Sequence, residues 1–203
     1  VKALPAAPSS NFTSGQAASL VIGQAGFTTR TLGTSADKMN SPRNAAFDLS
    51  GNLWVSDLDN NRVLRFSPPF TNNMSADLAL GQSNFTLGQP GLAANRLASP
   101  HNLAFDGFGR LWVVDQGNHR VLRFSPPFST GMSADLALGQ PNLTGGASTT
   151  TAAGMSSPAG LALDSLGNLW VADDVNHRVL RFSPPFQTGM AADLVIGQSN
   201  FTT

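Results

Sequence analysis

Residues 99–124 read SPHNLAFDGFGRLWVVDQGNHRVLRF, and the strand and turn residues in this segment indicate the fold. Close copies of it stand at residues 41–66 and 157–182, so the copies follow one another at a spacing of 58 residues. A fixed period of this length is typical of repeat architectures, in which each unit buries its apolar faces against its neighbours. No insertion or deletion interrupts the period, and 27 of 58 positions are identical in all three units, which are residues 20–77, 78–135 and 136–193.

Each unit contains four short extended runs separated by turn residues, which is the pattern of an antiparallel meander. Pro126 and Pro127 end the third run of the second unit, because proline cannot donate to a ladder. Apolar residues never recur at helical spacing, so we predict an all-β chain. A unit of this length fits a propeller blade better than a solenoid rung, and we predict three four-stranded blades. In the second unit the four runs are residues 103–106, 111–115, 120–124 and 135–138.

The three copies resemble the NHL repeat. Each has a proline, a small-apolar strand ending in Asp, a glycine turn, a strand ending in Val-x-Asp, and Asn-His-Arg or Asn-Asn-Arg before a third strand. The resemblance covers residues 41–70, 99–128 and 157–186. It implies a β-propeller, commonly of six blades. It implies little about activity, because the family includes binding scaffolds, lyases and lactonase-like relatives.

Composition narrows the setting of the protein. The formal net charge is zero, so we expect no nucleic-acid partner. No apolar run approaches the roughly 20 residues that span a bilayer, so we expect no membrane insertion. Residues 1–18 are rich in Pro, Ala and Ser and are predicted to be a linker before the propeller segment, residues 19–203. With the repeated Ala-Asp-Leu-x-Ile/Leu-Gly-Gln stretch, this segment is similar to bacterial NHL proteins that are secreted, periplasmic or on the cell surface.

Charged residues recur in every unit, and we interpret them as structural. Asp57, Asp115 and Asp173 each precede an Arg by five residues, which predicts an ion pair across a tight turn. We expect the intervening Asn60 and its two equivalents to adopt positive φ. His119 and His177 stand where the first unit has Asn61, which favours a turn position over metal ligation.

At one position the chemistry changes completely between units, directly after a constant Ser-Pro pair. Arg43, His101 and Ala159 follow the repeated Ser-Pro, at the start of the innermost strand of each predicted blade. Ligands of propellers usually bind where these strands begin, at the mouth of the central channel. With the residues that follow them, the candidate ligand-binding positions are Arg43, Asn44, His101, Asn102, Ala159 and Gly160.

The supply of residues argues against an enzyme. NHL-type lyases hold zinc with histidines from several inner strands, and this chain offers His101 alone. A lactonase-like metal site uses a Glu, and the chain contains none. We therefore predict a non-catalytic binding or scaffolding propeller without a cofactor, whose ligand is a small molecule, a glycan or a protein. The alternatives are a metal-dependent lyase or lactonase-like enzyme, and a fragment of a longer propeller with no activity of its own.

Three blades are too few to close a ring, which takes four to eight. Because both end faces derive from one repeat, we expect a two-fold homodimer with six blades. Residues 19–24 repeat the outer strand at residues 193–198, so the chain has four outer strands for three blades. A sheet edge accepts one strand in register, so one copy should pair and the other should be displaced. We expect the amino-terminal copy to close the ring.

Overall fold

The computed structural model describes residues 13–203, so most of the predicted linker at residues 1–18 lies outside the described residues. The described chain contains twelve strands and two short 3₁₀ turns, at Leu58–Asn60 and Gln116–Asn118. The all-β prediction is therefore confirmed. The strands are β1 (Pro42–Phe47), β2 (Leu53–Asp57), β3 (Arg62–Phe66), β4 (Leu78–Leu80), β5 (Pro100–Phe105), β6 (Leu111–Asp115), β7 (Arg120–Phe124), β8 (Leu136–Leu138), β9 (Pro158–Leu163), β10 (Leu169–Asp173), β11 (Arg178–Phe182) and β12 (Leu194–Ile196).

The strands form three four-stranded antiparallel sheets, as expected of propeller blades. Blade 1 contains β1 to β4, blade 2 contains β5 to β8, and blade 3 contains β9 to β12, each in sequence order from one edge to the other. Residues 19–24 form no strand, although they repeat the outer-strand sequence. A strand exists only beside a partner, and the described chain has no third strand of a preceding blade next to them.

Each blade begins with a hairpin whose turn is fixed by an aspartate. Asp48 accepts hydrogen bonds from the backbone N–H groups of Ser50 and Asn52 and from Nε1 of Trp54, the last at 2.9 Å. Asp106 and Asp164 accept from Trp112 and Trp170 in the same way. One carboxylate thus holds both the turn and the orientation of the indole that packs between blades.

The apolar core lies between the blades rather than within them. Trp54 of blade 1 packs edge-on against Phe105 and Phe128 of blade 2, with ring centroids 5.6 and 4.8 Å apart. Trp112 of blade 2 packs against Phe186 of blade 3 at 4.8 Å. Edge-to-face pairs of this kind add about 0.5–1.5 kcal/mol to the free energy of burial. The repeated Trp and Phe positions therefore serve junctions between neighbouring blades.

Candidate functional site

The six candidate residues lie at the same end of the three inner strands, β1, β5 and β9, which run beside one another. Hydrogen bonds join β1 and its neighbour β2 to β5. Asn44 Oδ1 accepts from the backbone N–H of Leu103 at 3.3 Å, and Ser56 Oγ donates to the carbonyl oxygen of His101 at 2.8 Å. The predicted channel mouth is thus a connected set of strand ends.

His101 joins the second inner strand to the third. Its Nδ1 lies 2.8 Å from the carbonyl oxygen of Ala159. A carbonyl oxygen only accepts, so Nδ1 carries a proton, and in the neutral imidazole the electron pair of Nε2 is left to accept from another group. The side chain is half-buried. It therefore both bridges two blades and presents one acceptor nitrogen.

The other candidate residues differ in exposure. Arg43 is exposed beside a shallow cavity of about 190 Å³ lined by Pro42, Asn44, Ala45 and Val55. Asn102, Ala159 and Gly160 are half-buried. A Cβ added at Gly160 would lie 3.7 Å from the Cβ of Ala172, an ordinary contact distance. The mouth offers a cation on blade 1, an imidazole and an amide on blade 2, and only small groups on blade 3.

The repeated Asp and Arg residues form buried ion pairs. Asp57 Oδ2 lies 2.7 Å from Arg62 Nε, and neither side chain is exposed. Burial raises the pKa of Asp57 and Asp115, although the neighbouring guanidinium groups and donors oppose the rise. Arg62 also donates to the carbonyl oxygens of four loop residues, Thr34, Ser35, Lys38 and Phe85. These pairs tie the loops before and after each blade to its third strand.

The turns after these pairs explain the exchange of Asn and His. Asn61, His119 and His177 adopt positive φ of 53°, 54° and 52°, so the prediction that Asn60 and its equivalents would do so was wrong by one residue. Asn60 lies instead in a 3₁₀ turn and donates to Asp57. Asn61 Oδ1 and His119 Nδ1 each accept from the backbone N–H of a serine in the next blade, at 2.8 and 2.9 Å. Asn and His are equivalent here because both supply an acceptor.

The sequence did not predict a cleft at the opposite end of the inner strands. A cavity of about 520 Å³ lies between the hairpin turns of blades 2 and 3, lined on its apolar side by Phe105, Phe108, Leu163, Leu166 and Phe186. Phe108 and Leu166 are both 79% exposed. The sequence does contain a signal for this cleft: Phe108 and Leu166 are large apolar residues in hairpin turns, where polar residues are usual. A smaller cavity of about 360 Å³ occupies the equivalent place between blades 1 and 2.

Within residues 13–203, no three His, Asp or Glu side chains cluster in a way that could hold a metal ion. Over the same residues, the structure has no helix of the length and apolarity needed to cross a bilayer.

Comparison with known proteins confirms the resemblance to the NHL repeat. The NHL repeat family model matches residues 155–182, which include the whole of β9, β10 and β11, the first three strands of blade 3. No curated protein sequence matches the chain. The family model thus matches the third copy of the repeat.

Two solved structures with TM-scores above 0.5 support the propeller fold, and a third gives a weaker match. The periplasmic gluconolactonase PpgL of Pseudomonas aeruginosa superposes with a TM-score of 0.52 at 15% identity, over 77% of this chain and 39% of PpgL. A protein of unknown function from Bacteroides caccae gives 0.51 at 11% identity, over 78% and 50% of the two chains. A streptogramin B lyase gives 0.48 at 15% identity, over 74% and 42%. The chain therefore spans half or less of the length of these proteins.

Proposed function

We propose that this chain is a non-catalytic binding propeller that holds a polar ligand at the mouth formed by the starts of β1, β5 and β9. The supporting observation is that a position whose chemistry changes completely between units, Arg43, His101 or Ala159, lies where three inner strands meet. Arg43 supplies a cation and His101 an acceptor nitrogen, while Ala159 leaves space. Such a set suits a ligand with anionic or hydroxyl groups, whether it is a small molecule, a glycan or a protein.

The scaffold around the mouth supports binding because it is already fixed. The hydrogen bonds of Asn44 and His101 are made within the protein, so their strands need no rearrangement when a ligand arrives. Preorganisation of this kind saves the entropy of ordering a loop. We also propose a location outside the cytoplasm, either secreted, periplasmic or on the cell surface, from the similarity of the repeat array to exported bacterial proteins.

The experiment screens a glycan array and a metabolite library for ligands, and then compares the wild type with the double variant R43A/H101A. The variant should lose at least about tenfold in affinity. Its free energy of unfolding should stay within about 2 kcal/mol of the wild type, since Arg43 is exposed and H101A removes one hydrogen bond between blades. The matched control is F108A at the other end of the inner strands, which should keep the affinity. Unchanged binding by R43A/H101A would contradict the assignment of the mouth.

A metal-dependent lyase or lactonase-like activity is the second candidate. One observation favours it: a histidine whose Nδ1 donates to a backbone carbonyl has the tautomer in which Nε2 binds zinc. A single histidine supplies one of the about three protein ligands that a catalytic zinc needs. Metal analysis of the purified protein separates the two functions, because one equivalent of zinc that is lost in H101A would support the enzyme. If the chain is a piece of a longer propeller, the same mouth would belong to the larger ring.

A further inference from the structure

The two end faces of the three-blade array lack the cover that the internal faces have. Trp54 and Trp112 are fully buried by the next blade, whereas Trp170 at the equivalent position of blade 3 is half-buried. Ile196 is 53% exposed, and its equivalents Leu80 and Leu138 are 0% exposed. These differences measure what a following blade would cover. We name the open side of blade 3 the donor face.

The open side of blade 1 shows the complementary deficit, and we name it the acceptor face. Phe47 is 61% exposed, whereas Phe105 and Leu163 at the same position in blades 2 and 3 are half-buried. Pro42 is exposed, and its equivalents Pro100 and Pro158 are buried. The residues that receive a preceding blade at the internal junctions are present here without one.

On the acceptor face, two phenylalanine rings are arranged as they are at an internal junction, where a tryptophan packs against them. At the first junction, Trp54 inserts against Phe105 and Phe128, whose centroids are 6.3 Å apart at 84°. On the acceptor face, Phe47 and Phe70 are 6.1 Å apart at 71°, in nearly the same arrangement. Trp170 of the donor face is the side chain that fits this pair.

The two end faces also carry the two partners of a hydrogen bond that each internal junction makes. At the two internal junctions, Asn61 or His119 accepts a hydrogen bond from the N–H of Ser99 or Ser157. The donor face carries His177 at this position, beside an open cavity that it lines with Ala172 and Ile196. The acceptor face carries Ser41, whose φ of 57° matches the 50° and 48° of its two equivalents. His177, on the donor face, thus supplies the ring nitrogen that accepts the hydrogen bond, and Ser41, on the acceptor face, supplies the N–H that donates it.

The amino-terminal segment shows how an outer strand is seated on blade 1. Val21 N–H donates to Asn72 Oδ1 at 2.8 Å, and the Val21 carbonyl oxygen accepts from the N–H of Asn73 at 3.0 Å. Ala79 makes the equivalent contacts with Thr130 and Gly131 at the first internal junction. Blade 1 is therefore bound on its open side by a piece of the very strand that would end a preceding blade.

We propose that the donor face of one copy docks on the acceptor face of a second copy, and that the second copy returns the contact, so that two chains close a ring of six blades. The second copy is the favoured occupant because the two faces are the separated halves of a junction that this chain makes twice internally. A two-fold arrangement uses both faces of both chains and leaves no blade end open. The proposal does not depend on what binds at the mouth.

The test is the solution molar mass by sedimentation velocity over about two orders of magnitude in protein concentration. The wild type should give a molar mass that is twice the 21.2 kDa of one chain. Ala172 is half-buried on the donor face, and its equivalents are Ser56 and Val114, so the position accepts different side chains in the fold. A172R should sediment as a monomer with the β-sheet circular dichroism of the wild type, because a charged side chain blocks the docking face.

The control is A147R, at an exposed position whose equivalent in the preceding loop is Gln89, and it should remain a dimer. A second pair of variants tests the polar contact without adding bulk. H177N should keep the dimer, because Asn61 already performs this role, and H177A should weaken association at least about fivefold.

Three outcomes would overturn the proposal. A wild type that sediments as a monomer at every concentration shows that the faces do not associate. A folded A172R that stays dimeric shows that another surface is used. If the control A147R dissociates as well, the effect of A172R is not specific to the donor face. A mass above two chains that A172R does not reduce points to an occupant unrelated to these faces.

Discussion

The buried ion pairs allow a prediction with an internal control. Arg120 and Arg123 lie in the same strand, β7, and each directs Nε at a carboxylate, at 2.7 Å to Asp115 and 2.6 Å to Asp135. The first pair is fully buried, whereas the side chains of the second are 17% and 37% exposed. Replacing each Arg by Met removes the charge and keeps the length of the side chain. The two variants then differ mainly in whether the remaining carboxylate is buried, as Asp115 is, or partly exposed, as Asp135 is.

R120M should cost about 3–5 kcal/mol, the usual penalty for leaving a buried charge without its partner. Arg120 also donates to the carbonyl oxygens of Leu92, Ala93, Arg96 and Leu143, which would lose their donor. R123M should cost no more than about 2 kcal/mol, because an exposed pair contributes at most about 1 and its stacking on Trp112 about as much.

Urea unfolding followed by tryptophan fluorescence measures both losses at one protein concentration. In a thermal melt, R120M should lower the Tm by about 6–20 °C. An isolated buried carboxylate takes up a proton, so the loss in R120M should be smaller near about pH 5 than near about pH 7. Equal losses in the two variants would refute the argument that burial decides the strength of these pairs.

Two further predictions concern acid stability and the duplicated outer strand. Hydrogen bonds from Trp170 and Asn168 lower the pKa of Asp164 from 3.8 to about 2, so their contribution to stability is present above pH 3.8 and is lost as the pH falls towards about 2. An NMR titration of the Asp164 carboxyl should give this value, and a midpoint at 3.8 or above would contradict it. Separate deletions of residues 1–24 and 192–203 should leave the dimer intact in at least one case, as sedimentation will show. Loss of the dimer in both would mean that neither copy is surplus.

The repeat made the fold predictable, because each strand is marked three times by the same residues. The strand ending at Asp115, the turn at Gly109 and the break at Pro126 all stand as the sequence indicates. The common location of Arg43 and His101 followed from their equivalent positions in the unit. These features depend on local sequence, which the period repeats without change.

Features that depend on neighbouring blades could not be predicted in the same way. The bond from His101 to Ala159 joins residues 58 apart and depends on how closely two inner strands approach. The cleft beside Phe108 and Leu166 depends on the angle between two hairpins. Residues 19–24 have the sequence of a strand and form none, because pairing requires an edge that the described chain does not place there.

In the proposed six-blade ring, the duplicated strand would compete with β12 for one sheet edge, and the contacts of the two copies bear on which of them would hold it. Residues 20–22 and 194–196 are both Leu-Val-Ile, whereas the internal outer strands are Leu-Ala-Leu. The copy at 194–196 pairs with β11 and is held further by Gln198, whose donated bonds are 3.3 and 3.4 Å long. The copy at 20–22 is seated on blade 1 through Val21 and is held by Gln24, whose bonds with Thr31 are 2.8 and 3.1 Å long.

A partner that docks on blade 1 therefore meets a strand that is already in position. That strand has only to pair with the partner's third strand, because its contacts with blade 1 are made beforehand. If β12 of the partner kept the edge instead, residues 20–24 would have to give up these contacts before the faces could meet. We infer that the amino-terminal copy closes the ring and that β12 is released. Residues 20–22 would then replace the pairing that β12 makes with β11, so the net loss is the two long bonds of Gln198, whereas the contacts of residues 20–24 with blade 1 are kept.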